Sequence, residues 1–99
     1  MIRGSTPTHI FTLPFDASQL AEVMVIYAQN DVEVFNKGTD DCAMNGNEIK
    51  VTLTQTETLK FSHQDNVQIQ IKVKLPDETI LVSDVRTVSI GKCLNDEVL

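Results

Sequence analysis

The nine residues Val67-Gln68-Ile69-Gln70-Ile71-Lys72-Val73-Lys74-Leu75 alternate branched apolar with polar side chains without a break. Successive strand side chains point to opposite faces. Val67, Ile69, Ile71, Val73 and Leu75 therefore share one side, and Gln68, Gln70, Lys72 and Lys74 share the other. A helix would scatter the same apolar set around its axis, so the pattern specifies a β-strand with one buried and one wetted face. One strand cannot fold alone; the rest of the chain has to supply strands that cover the apolar side.

The remaining segments read as such strands. Thr8 to Leu13 is the first, with Phe11, Leu13 and Phe15 on one side, and Pro14 ends it because it has no N–H for a ladder. Asp16 to Glu22 reads as about one turn of helix or a tight crossover, with Asp16 as N-cap and Gln19 at the third position. Val23 to Ala28 is apolar on both faces, the pattern of a central strand covered on each side. Gln29-Asn30-Asp31 turns the chain into its hairpin partner, Val32 to Phe35. Asn45-Gly46 joins Cys42–Met44 to Glu48–Leu53 as a second hairpin and supplies the two positive-φ positions of a type I′ turn. Ile49, Val51 and Leu53 then face inward.

Thr54 to Phe61 crosses over, anchored by Leu59 and Phe61. Pro76-Asp77-Glu78-Thr79 is a tight turn. The last strand, Ile80 to Ile90, changes phase: Ile80 and Val82 fit one parity, Val85 the other, and Val88 and Ile90 the first again. One or two β-bulges near Ser83 and Asp84 would restore the pairing. Residues 1–7 read as a mobile N-terminal arm, and residues 91–99 as a C-terminal tail. Strands recurring every 8 to 12 residues, with turns between them, predict an all-β fold, an antiparallel sandwich or a small barrel, and seven strands fit the sandwich best. We expect one domain over residues 1–99, an antiparallel immunoglobulin-like β-sandwich of about seven strands.

Ninety-nine residues hold one core without a disulfide or metal. With no Trp, one Tyr and four Phe, that core is mainly aliphatic. The formal net charge of −6 repels phosphates, so no nucleic-acid partner is expected. The longest apolar run, Val23 to Ala28, falls far short of the roughly 20 residues that span a bilayer, and no membrane partner is expected. Residues 1–20 do not read as a secretory signal. Cys42 and Cys93 lack a CxxC partner; two reduced, partly buried thiols are the default reading, with a disulfide the lesser alternative.

Candidate chemistry is sparse. His9 lies in a strand pattern and reads as a surface or edge residue. Ser62-His63-Gln64-Asp65 holds a hydroxyl, an imidazole and a carboxylate, but a catalytic triad must converge in space, which loop neighbours seldom do. A solvated turn is the better reading. Nothing around Cys42 predicts the depressed pKa that a nucleophile served by His63 would need. Asp40-Asp41 and Asp96-Glu97 are acidic pairs without calcium-loop spacing, and no glycine-rich phosphate loop exists. The expectation is therefore no enzyme, no catalytic residue, no metal site and no cofactor. Gln68, Gln70, Lys72 and Lys74 read as a solvated sheet face rather than a binding face. The tail carries three apolar residues, Leu94, Val98 and Leu99, beyond the last strand. They either cover one end of the sandwich or dock on another subunit. The second arrangement is the one we adopt, making these three the candidate partner-binding residues.

Ile2-Arg3-Gly4-Ser5-Thr6-Pro7-Thr8-His9-Ile10-Phe11-Thr12-Leu13-Pro14-Phe15 resembles small proteins encoded in phage and prophage genomes. The stretches Ile26–Asn30, Val67–Ile71 and Gly91–Leu99 look like the same group, so the similarity runs over nearly the full length. The resemblance implies a virion or tail-associated structural protein, made in the bacterial host cytoplasm and built into a tail, baseplate or head-to-tail assembly. Its partners would be other virion proteins or copies of itself in a homo-oligomer. The general plan is similar to the immunoglobulin-like N-terminal modules of phage baseplate proteins, an analogy of fold alone. The alternative is a small acidic phage-encoded binder that occludes a basic site on a host protein. No site residue carries over.

Overall fold

In the computed structural model, which describes residues 1–99, eight strands form two antiparallel sheets that face each other as a sandwich. The smaller sheet has the order β1 (Thr8–Thr12), β5 (Glu48–Thr52), β4 (Cys42–Asn45). The larger has β3 (Val32–Lys37), β2 (Glu22–Gln29) and β6 (Val67–Lys74) in that order. Beyond β6 come β7 (Ile80–Val82) and β8 (Arg86–Val88), which pair with successive stretches of it. A short helix, α1 (Gln55–Thr58), carries the crossover between sheets. The expected antiparallel sandwich is the fold of the chain. The strand count rises by one because the expected last strand is split.

The alternating run forms β6, at the centre of the larger sheet, and buries Val67, Ile69, Ile71 and Val73. Each such side chain contributes roughly 1.5–3 kcal/mol by leaving water. Leu75 lies past the strand's end, half-buried, where its N–H donates to the Thr79 carbonyl and its own carbonyl accepts from Glu78. On β2, Val23, Val25 and Tyr27 are buried against the other sheet, but Met24 is exposed and Ile26 half-exposed. The cover expected on both faces of β2 is absent because the fold has only two layers. The pairs Met24↔Lys72 and Ile26↔Gln70 instead set long polar side chains beside the outer apolar ones.

Both hairpins form. Asn30 (φ 53°) and Asp31 (φ 63°) make the two-residue left-handed turn between β2 and β3. In the β4–β5 hairpin Asn45 pairs with Glu48, so the turn centres on Gly46-Asn47 and only Gly46 has positive φ, at 59°. This is the type II′ layout, with glycine first, rather than the expected type I′.

The phase change in the last strand is a bulge. Val82 pairs with Lys72 and Arg86 with Ile69, one residue out of step across Ser83–Val85. Ser83 spans the gap: its N–H donates to the Ile71 carbonyl and its hydroxyl accepts from the Ile71 N–H, each at 3.0 Å. One inserted residue reverses the side chains, so the expected shared parity does not hold. Ile80 and Val82 oppose Lys74 and Lys72 on the outer face, whereas Leu81 and Val88 oppose the buried Val73 and Val67.

Residues 1–7 are anchored, contrary to the expected mobile arm. Ile2 forms a parallel bridge with Gly91, where a Cβ in place of the glycine hydrogen would collide with the Ile2 side chain. The Arg3 guanidinium donates to the carbonyls of Phe61 (2.6 Å) and Leu59 (2.9 Å) and pairs with Asp96 (2.8 Å). The Gly4 N–H donates to the Thr58 hydroxyl.

Candidate functional site

Titratable side chains meet at one place between the sheets. His9 of β1 and Cys42 of β4 flank Val51 in a single row of the smaller sheet, and all three share its inward face. Opposite them stands Tyr27 of β2, fully buried, with its hydroxyl 2.7 Å from His9 Nδ1. His9 is thus an inward, half-buried residue of an edge strand, not a surface one. Its parity with Phe11 was the available signal. Burial lowers the His9 pKa, which keeps the imidazole neutral near pH 7. Burial also holds the Tyr27 phenol far above its ordinary range, with the Cys42 thiol and Glu57 carboxylate acting in the same direction. The Cys42 thiol is pushed up by burial and by Asp41, against the pull of Lys37, and its Sγ donates to the Gly38 carbonyl.

Next to this row, Lys37 of β3 donates to both Glu57 carboxylate oxygens, at 2.8 and 2.9 Å. Burial alone would raise the Glu57 pKa. The bonds from Lys37 and from the Thr54 N–H outweigh it and hold the carboxyl below its usual range. Glu57 closes a capping box with Thr54 at the start of α1. Sequence reasoning passed over both partners. The Thr54-x-x-Glu57 spacing was the signal for one, while a register shift between Tyr27 and Ala28 obscured the inward position of Lys37.

All buried side-chain polar atoms in the chain are hydrogen-bonded. A neutral imidazole, an un-ionised phenol and a protonated thiol make a satisfied polar core that aligns the two sheets. They do not form an activated nucleophile.

Elsewhere the sequence candidates are dispersed. His63 is exposed, and its loop is held by Gln29, whose amide donates to the Ser62 and Asp65 carbonyls and whose carbonyl accepts from the Ser62 N–H. Asp41 accepts from the Gly38 N–H, and Asp96 pairs with Arg3. No three His, Cys, Asp or Glu side chains form a group able to hold a metal ion.

The three tail residues are all exposed on their own chain. Leu94 is 95% exposed, Val98 59%, and Leu99 fully. The tail backbone is nevertheless held. The Gln55 amide donates to the Glu97 carbonyl, the Leu99 N–H donates to Gln55 Oε1, and Asp96 is tied to Arg3. Leu94 and Leu99 thus cover no part of their own chain, whereas Val98 is partly covered.

A second exposed apolar region lies on the flank where β1 and β7–β8 form neighbouring sheet edges. A groove of about 260 Å³ opens there, lined by Phe11, Leu13, Ile71, Val73 and Leu81, with Arg86 also on its wall. On its wall Leu81 and Val82 are 43 and 50% exposed. Another hollow, of about 400 Å³, is wholly polar and includes Asn30, Asp31, Asp65 and Gln68.

No protein-family model, curated protein or solved structure matches this chain.

Proposed function

We propose that this chain is a structural assembly module, a β-sandwich that binds copies of itself or neighbouring proteins in a particle. The setting that the resemblance implies is a phage tail, baseplate or head-to-tail assembly. One observation carries the reading: an open groove has apolar walls that include Phe11, Leu13, Leu81 and Val82, and Leu81 and Val82 are 43 and 50% exposed. Exposed apolar side chains scattered singly need no explanation, but a clustered set beside a groove marks an interaction surface. No enzymatic role is included in the proposal, because the buried row of His9, Tyr27 and Cys42 has a structural account.

Mass spectrometry of purified particles from a producing culture tests this reading. The chain is expected at a fixed stoichiometry to the major particle proteins. Its absence from particles that are complete and infectious would sink the proposal.

A second reading, a small acidic binder of a host protein, draws on the polar hollow with Asp31 and Asp65 and on the net charge of −6. It requires a basic partner, bound tightly at low salt and released as salt screens the pair.

A further inference from the structure

Asn45, the last residue of β4, directly precedes Gly46, and no other asparagine of the chain precedes a glycine. A main-chain nitrogen attacks the side-chain carbonyl of a preceding asparagine most readily when its own residue lacks a Cβ, since nothing then crowds the approach. Here both reacting groups are free. Asn45 is exposed, and its carboxamide makes no hydrogen bond within the chain. The Gly46 N–H makes none either; only the Gly46 carbonyl is engaged, accepting from the Ala17 N–H at 2.8 Å. The space around the Gly46 Cα is open, with no atom near where a Cβ would stand. Asn47 differs on both counts, because its carboxamide donates to the Leu13 carbonyl at 3.2 Å and Glu48 follows it.

We infer that Asn45 is a site of spontaneous deamidation, with water as the co-reactant. The Gly46 nitrogen bonds to Asn45 Cγ and gives up its proton, and the side-chain nitrogen leaves as ammonia, closing a succinimide ring. Water then opens the ring. Opening at the former side-chain carbonyl leaves aspartate, and opening at the main-chain carbonyl leaves isoaspartate, whose backbone is one carbon longer. Ring closure requires Asn45 to leave its extended conformation. Only the terminal pair Asn45↔Glu48 has to open for that, and such ends fray at the lowest free energy. The product alters the fold locally. Its new carboxylate stands opposite Glu48, and like charges facing across a ladder destabilise it. Isoaspartate also displaces Gly46 and Asn47, whose carbonyls accept from the N–H groups of Ala17 and Leu13 at 2.8 and 2.7 Å. Those two bonds tie the hairpin to the chain that leaves β1, so the modified protein loosens where these segments meet.

Ageing the folded chain for weeks at mildly alkaline pH, followed by peptide mapping with mass spectrometry, tests this. The peptide holding Asn45 should gain the mass difference between –NH2 and –OH and separate into aspartate and isoaspartate forms. Asn30, Asn36, Asn47, Asn66 and Asn95 should stay intact. In urea the same residue should convert faster, and Asn45→Gln should stay unconverted in both states because glutamine needs a larger ring. The purified isoaspartate form should melt a few degrees below the parent. Asn45→Asp, which adds the charge without the extra carbon, should melt between the two. A folded chain in which Asn45 converts no more than the other asparagines overturns the inference, as does an isoaspartate form that melts with the parent.

Discussion

The Tyr27 hydroxyl and His9 Nδ1 lie 2.7 Å apart and join the larger sheet to the edge strand of the smaller one. Both side chains are removed from water to an extent that disfavours their charged forms. The contact therefore depends on Tyr27 retaining its hydroxyl, and burial opposes protonation of His9 there.

Removing the hydroxyl isolates its contribution. Tyr27→Phe keeps the stacking on Phe35, whose ring centroid is 5.0 Å away, and leaves His9 without its partner. We expect a loss of about 0.5–1.5 kcal/mol. Thermal melts should fall by about 4–8 °C per kcal/mol for a domain of this size. An unchanged melting temperature would show that the bond contributes nothing net.

Acid should destabilise the fold in two stages. His9 has a lower pKa folded than unfolded, so the unfolded chain takes up the proton first as pH falls. Its contribution is complete above about pH 6.5 and is lost as pH falls through the folded value. Glu57 also has a depressed folded pKa, so its contribution is present above about pH 4.3 and is lost below that. In urea melts from pH 7.5 to 3, His9→Gln should flatten the upper stage and leave the lower one intact. An unaltered upper stage would assign it to another group.

Lys37 and Glu57 should behave as a unit. Glu57→Gln leaves a largely buried ammonium with a weaker partner, and Lys37→Met leaves the carboxylate with only its cap. Each single change should cost about 1–3 kcal/mol. The double variant should cost clearly less than their sum, since neither charge is then stranded. Strict additivity would mean that the two groups are independent.

On β6 the two faces should differ. Ile71→Ala opens a cavity in the buried face and should cost about 2–5 kcal/mol. Gln70→Ala removes the bond from its amide to the Ser83 carbonyl across the bulge, worth about 1 kcal/mol or less. Equal shifts in denaturant midpoint would contradict the assigned faces.

How legible this fold was in the sequence depended on the range of the forces involved. The alternation of β6 declared itself because one sheet face is dry along its whole length, and the Asn30-Asp31 turn did so through local backbone chemistry. Register was less accessible. The slip at Tyr27/Ala28 that turns Lys37 inward and the stand-in role of Ser83 both depend on which strands pair, a non-local choice that local pattern does not encode. Thr54-x-x-Glu57 was readable and was passed over. The pairing of His9 with Tyr27 was not, because it joins residues from different sheets. The tail's apolar residues were visible, but only the folded chain shows that they stay exposed rather than entering its core.

The bridge between Ile2 and Gly91 gathers the first and last segments at one end of the sandwich. Arg3 secures that junction with bonds to the carbonyls of Leu59 and Phe61. A polypeptide fused before Met1 would therefore emerge beside α1, on the side away from Phe11 and Leu13. Reporters, tags or natural extensions attached there would leave the groove unobstructed.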